Sequence, residues 1–238
     1  MSEDTTIVVG ADGSSESRAA VQWAAAHAAA TGGVLHVVHA VILPTMTGMG
    51  WKIDAAMEAG QLLKALDAEG HLLVAREQSR VERRWPAVRV RTAVVPGDPR
   101  AVLLDAADDA DVLVVGSRGR GPISSLVLGS VSAAVARHSA CPTVVHRDAL
   151  AGARGVLSCT DPAALEFAGA YADAHATELC RIDHTGVDAL MAAARSRELL
   201  VVARHTRRFG APRTFDHAIT VAEEASCPVA VVAADGDG

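Results

Sequence analysis

The chain has 238 residues, half of them hydrophobic and only 3% aromatic, with a formal charge of −6. That length can bury a sizeable core, but one built from Ala, Val and Leu, as suits helices packed closely on buried parallel strands. The acidic balance leaves no basic surplus to neutralise phosphates along a duplex, which argues against nucleic acid as a partner.

Thr6 to Ala11 is a β-branched run that ends in Asp12-Gly13-Ser14-Ser15, and so predicts a buried strand feeding a helix. The helix should run from about Glu16 to Thr31 and stop at Gly32-Gly33. Val34 to Leu43 predicts a second strand, ended by Pro44. Ala19 to Leu43 is long enough to span a bilayer and nearly uncharged. Arg18 opens it, however, polar residues interrupt it and Thr31-Gly32-Gly33 splits it, so a helix, a turn and a strand fit better and no membrane partner is expected. Thr45 to Gly50 is a flexible segment. Asp54 to Arg84 has helical spacing, with Leu62, Leu63, Leu66, Leu73, Val74 and Val81 on or near one side. Val88 to Val95 is a third strand, and Pro96-Gly97-Asp98-Pro99 turns into a helix ending near Asp109. Val112 to Val115 is a fourth strand, Gly116 to Pro122 a loop, Ile123 to His138 a helix and Pro142 to His146 a fifth strand.

Strands alternating with helices give β-α-β units, whose right-handed crossovers place helices on both faces of a parallel sheet. The expected architecture is α/β: a doubly wound parallel five-stranded sheet of order 3-2-1-4-5 over residues 1–148. Ala149 to Arg154 would be a linker. Residues 155–238 then repeat the same fold in shortened form. Cys141-Pro142-Thr143-Val144-Val145 is echoed by Cys227-Pro228-Val229-Ala230-Val231, and Leu113-Val114-Val115 by Leu200-Val201-Val202. Between Glu178–Ile182 and the helix Gly186–Ala194 there is no room for the long helix and third strand. The missing strand would be the sheet edge, so the remainder can close, with one face losing its covering helix.

Cys141, Cys159, Cys180 and Cys227 form no C-x-x-C pair and read as reduced, buried thiols of a cytoplasmic protein. Met1 to Thr6 carries two acids and no basic residue, unlike a signal peptide. No Walker glycine loop, nucleophile elbow or zincin motif is present, and the lysines, Lys52 and Lys64, follow no such loop. His36 and His39, three apart on a strand, point to opposite faces and cannot share a metal. Asp105, Asp108, Asp109 and Asp111 read as a solvated helix end.

The most informative pattern is Gly116-x2-Gly119-x9-Gly129-Ser130, placed after a strand and running into a helix. Glycines let the backbone approach a ligand, and the helix start offers unpaired N–H groups to an anion. Asp12 ends the neighbouring strand, so both face the crevice where doubly wound sheets bind ligands. A carboxylate there suits ribose hydroxyls or a magnesium ion. Read without further support, the glycines equally mark a surface loop and Asp12 a helix cap.

Ile7-Val8-Val9-Gly10-Ala11-Asp12-Gly13-Ser14, Leu35-His36-Val37-Val38, Val114-Val115-Gly116-Ser117-Arg118-Gly119, Leu128-Gly129-Ser130-Val131-Ser132 and Cys141-Pro142-Thr143-Val144-Val145 together resemble the universal stress protein family. The resemblance covers residues 5 to 147 and includes the whole G-2x-G-9x-G-S/T signature of its ATP-binding branch. It implies ATP, or ADP or AMP, with Mg²⁺ where Asp12 meets it. Asp12 would meet the ribose and the Val37 backbone the adenine, with Ala11 also among the residues that bind the nucleotide. Gly116, Arg118, Gly119, Gly129, Ser130, Val131 and Ser132 would surround the phosphates. In the second half Asp161 matches Asp12, but Ala203 and Thr206 replace the first two glycines, and Phe215-Asp216 falls opposite Gly129-Ser130. That half reads as a structural pseudo-repeat, with Arg204, Arg207 and Arg208 in a solvated loop. The resemblance therefore implies a nucleotide-dependent sensor with no catalytic residue, the alternative being a slow ATPase or nucleotidyl-transfer enzyme. It further implies an intrachain pseudo-dimer of the two halves and a homodimer of chains.

Overall fold

In the computed structural model, the described residues are 5–42, 53–119, 128–183, 186–204 and 217–234, with side chains of helix 53–84 described from residue 60. The expected segment 45–50, the helix start at Ile123, and Thr206, Arg207, Arg208, Phe215 and Asp216 lie outside them. In chain order the elements are β1 (Thr6–Gly10), α1 (Ser15–Thr31), β2 (Val34–Val41), α2 (Ile53–Arg84), β3 (Arg89–Pro96), α3 (Pro99–Ala107), β4 (Val112–Gly116), α4 (Ser130–His138) and β5 (Thr143–His146). There follow β6 (Val156–Cys159), α5 (Pro162–His175), β7 (Leu179–Ile182), α6 (Val187–Ala194), β8 (Leu199–Arg204), α7 (His217–Glu224) and β9 (Val229–Ala233).

The strands form one nine-stranded sheet of order β3-β2-β1-β4-β5-β9-β8-β6-β7. Its first five members keep the 3-2-1-4-5 order, all parallel. Strands β6 to β9 repeat the 2-1-4-5 part of that order, with β7 at the end where a third strand would have followed. Among the described strands the one antiparallel pairing is β5 with β9, in the register Thr143↔Val231, Val144↔Ala230 and Val145↔Val229.

Alternation along the strands divides the core between the two faces. Ile7, Val9, Leu35, Val37 and Val114 pack with α1, α2 and α5, while Val8, Val38, Leu113 and Val115 pack with α3, α4, α6 and α7. Ile7, Leu35, Leu113, Leu199 and Leu200 are all fully buried, each worth roughly 1.5–3 kcal/mol. Alanines on α1 and α5 let these helices lie close to the sheet, and Gly32, left-handed at φ 69°, ends α1 with its N–H on the Ala28 carbonyl.

Two expectations need correction. Leu73, Val74 and Val81 of α2 are buried, but Leu62 and Leu63 are 47% and 38% exposed. The helix outruns the strands it covers, so its earlier turns lose the apolar partner that the spacing implied. The helix expected from Ile123 has its described start at Ser130, since Leu128 and Gly129 are not helical and Gly129, at φ −60° and ψ 147°, is the N-cap. Cys141, Cys159 and Cys227 are buried, Cys180 is half-buried, and all are unbridged. Among the described residues, no helix is long and apolar enough to cross a membrane.

Candidate functional site

At the C-terminal ends of β1, β2 and β4 lies a cleft of about 430 Å³. Turn chemistry sets one wall. Asp12 Oδ1 accepts from the Ser14 backbone N–H at 2.9 Å and from its hydroxyl at 2.6 Å. The Asp12 N–H in turn reaches Ser17 Oγ at 3.3 Å. Ser14, and not Asp12, is the N-cap of α1, accepting the Ser17 N–H at 3.1 Å. Asp12 is therefore braced by the capping residues Ser14 and Ser17.

The three signature glycines have different reasons to be glycine. A Cβ on Gly116 would stand 2.9–3.0 Å from backbone atoms of Glu16 and Ser17, so this glycine lets β4 end against the first turn of α1. A Cβ on Gly119 would lie 2.6 Å from Asp12 Oδ2, which puts the loop backbone directly against the carboxylate. At Gly129 the nearest atoms would be 3.5 Å away, an ordinary contact. Gly129 has no side chain to cap α4, whose first-turn N–H groups (Ser130, Val131, Ser132) thus receive no acceptor from the cap position. The Ser132 hydroxyl donates to the Gly116 carbonyl at 2.7 Å and ties that turn to the end of β4. Arg118 is exposed at the rim; its positive field assists the Ser15 hydroxyl, the larger influence, in holding the Glu16 carboxyl below its ordinary value.

Of the residues expected from the sequence, Ala11, Asp12, Gly116, Arg118, Gly119, Val131 and Ser132 line the cleft. Gly129 adjoins it through the Gly129 N–H to Ser117 carbonyl bond of 2.9 Å, and Ser130 is an exposed first helical residue. Val37 stands apart. It is fully buried inside the sheet, level with Val9 and Thr92, and turns its side chain into the core on the α1 face. The next stretch of β2, Val38 to Ile42, borders the cleft instead. The pairing β2 makes with β1 carries it past the end of β1, so the residues after Gly10↔Val38 emerge over the crevice. Sequence reading also missed His39, Leu66, Glu69 and Leu103. Helical spacing marked Leu66, but nothing local tied α2 or α3 to this edge. Among the described residues no cluster of three or more His, Cys, Asp or Glu could hold a metal ion. Arg204 donates to the Ser139 carbonyl at the end of α4 rather than standing in a solvated loop.

The layout is that of a doubly wound α/β protein with a cleft at its strand ends, where the sheet order reverses. The universal stress protein family model matches residues 5–147, and the chain belongs to that family. It is 34% identical over 146 residues to the universal stress protein Rv2005c of Mycobacterium tuberculosis, an alignment covering 60% of this chain and 48% of that protein. The chain thus spans about half the length of the curated relatives it matches. Among solved structures, a universal stress protein from Archaeoglobus fulgidus has the same fold over 97% of this chain and 99% of its own, with a TM-score of 0.70 and 15% identity. The universal stress protein UspA from Lactobacillus plantarum covers 60% of this chain and 97% of its own, with a TM-score of 0.52 and 24% identity.

Proposed function

We propose that the cleft binds one ATP, with ADP or AMP as the alternative residents, and that the protein is a nucleotide-dependent regulator rather than a fast enzyme. The observation that carries the reading is the cleft's division into two chemical ends. The strand β2 side is apolar and suits a base; the other side gathers Asp12, Gly116, Gly119 and the α4 start, which suits ribose and phosphates. Asp12 and Ala11 would stand at the ribose, with the Asp12 carboxylate also suited to a phosphate-bound Mg²⁺. Gly116, Arg118, Gly119, Gly129, Ser130, Val131 and Ser132 would surround the phosphates. The base would lie along Val38 to Ile42, one step beyond Val37.

Among the described residues no lysine lines the cleft and Asp12 is the carboxylate at its phosphate end, so hydrolysis should fall well below the median enzyme rate of about 10 s⁻¹. Residues 1–148 would form the binding unit and 155–238 a degenerate unit, joined as an intrachain pseudo-dimer. Titration calorimetry with Mg²⁺ and ATP should give one site per chain, and mass spectrometry of nucleotide released from denatured protein should identify the resident. Two equivalent sites per chain, or no heat with magnesium present, would refute the assignment. ATP turnover at tens per second, lost in Asp12→Ala, would favour the enzyme reading.

A further inference from the structure

We propose that His39 selects the base, favouring a purine with a 6-amino group over one with a 6-oxo group. The inference rests on the nucleotide reading of the cleft and adds to it a side chain that chooses among nucleotides.

The apolar end of the cleft is lined by Val38, Ala40, Val41, Ile42, Leu66 and Leu103, none of which offers a polar side-chain atom to a flat ring. His39 and Glu69 are the polar side chains beside them. His39 Nδ1 lies 2.7 Å from the Ala11 carbonyl oxygen. A carbonyl only accepts, so Nδ1 carries the hydrogen, and Nε2 of the neutral ring is left as a lone-pair acceptor. Nε2 has no hydrogen-bond partner among the described residues. The ring is also confined from the other side: a Cβ on Gly70 of α2 would come within 2.9 Å of its Cδ2. An acceptor held at both edges cannot turn away from an unsuitable ligand. A 6-amino group donates to it, whereas a 6-oxo group sets one lone pair against another and leaves both unsatisfied.

The test compares ATP with inosine 5′-triphosphate, which replaces the 6-amino group by oxo and keeps the ribose and phosphates. Calorimetry with Mg²⁺ near pH 7.5 should show ATP binding at least ~10-fold more tightly, the effect of about one hydrogen bond in a closed site. In His39→Asn the amide can still donate to Ala11 while the Nε2 acceptor is gone, and the ratio should fall to within ~3-fold. Purine riboside 5′-triphosphate, with only hydrogen at the 6-position, asks the same of the unmodified chain: it should bind more weakly than ATP. Equal affinity for ATP and the inosine or purine analogue, or a full ratio retained in His39→Asn, overturns the role of His39 and leaves the nucleotide reading standing. A chain that binds none of the three overturns both.

Discussion

Gly116, Gly119 and Gly129 look equivalent in the signature, but of the three only Gly119 would, with a Cβ, press on a side chain of the site, Asp12 at 2.6 Å. Its backbone is not left-handed, so the requirement there is space beside Asp12 rather than dihedral freedom. Gly119→Val should push Asp12 Oδ2 aside and occupy the phosphate path, weakening ATP by at least ~100-fold, about 2.7 kcal/mol, with the fold intact. Gly129→Ala, by contrast, meets only ordinary contacts and should cost roughly 1 kcal/mol or less as an N-cap change. Calorimetry beside thermal melting separates the two, and unchanged ATP affinity in folded Gly119→Val would place the site elsewhere. Much of this end of the cleft was legible in the sequence, because glycine spacing after a strand reports backbone geometry directly. The other end was not. The usefulness of His39 depends on the Ala11 carbonyl, brought to it by pairing of β1 with β2, and its spacing from His36 spoke only about metals. Val37 turns its side chain into the core, so from the side chains alone β2 meets the cleft from Val38 onward, and alternation gives a residue's face but not where its strand leaves the sheet.

Helices α1 and α5 meet through rings in a chain otherwise poor in them. Trp23 stacks on Tyr171 with centroids 5.8 Å apart, and Tyr171 on His175 at 4.1 Å. His27 Nδ1 and His175 Nε2 are 2.9 Å apart, so one neutral ring donates to the other across 148 residues of sequence. No local pattern announces such a junction; the sequence gives two Ala-rich helices and leaves their docking to the sheet. Burial first, then the neighbouring His175, lowers His27 to about 4. Burial likewise lowers His146, which lines a second cleft together with Trp23, Tyr171 and His175, to about 4, with Asp148 opposing and Arg147 adding to the shift. His175 is lowered by burial against an opposing Glu198. Each folded value lies below the ordinary 6.5, so the unfolded chain takes up protons first and stability falls as pH drops from about 6.5 towards 4. His27 and His146 can each withdraw up to roughly 3 kcal/mol by the acid end, before water penetration lessens it. Urea denaturation at pH 7.5, 6 and 5 should show a steadily falling midpoint, with a shallower fall in the His27→Phe, His175→Phe double variant. A wild-type midpoint that holds from pH 7.5 to pH 5 would show that the stack does not resist protonation.

The continuous sheet makes the β5–β9 pairing the seam of the whole molecule, and arginines cross it in both directions. Arg147, just past β5, donates to the Glu223 carbonyl at 3.2 Å and the Ala225 carbonyl at 2.6 Å, and also to the Ala222 carbonyl, at the end of α7. Arg204, at the end of β8, donates to the Ser139 carbonyl at the end of α4. With β5 and β9 occupied by each other, the sheet ends at β3 and β7. Strand β3 has α2 packed beside it; β7, only Leu179–Ile182, has no counterpart of α2 in the shortened repeat. The missing helix was legible from the chain length between β7 and α6, whereas the seam that unites the sheet depends on pairing between distant strands. Leu179, Cys180 and Ile182 are half-buried rather than buried, and an unpaired edge beside an incompletely covered face is a surface that favours association. A homodimer of chains is therefore expected, with the shortened half at or near the contact. Ile182→Arg should shift it towards monomer, since a guanidinium in an apolar contact loses hydration without gaining a partner. Light scattering across a concentration series checks this. A monomer at every concentration would refute the dimer, and because α2 packs on β2 and β3, it could not be rescued by assigning α2 as the cover of β7.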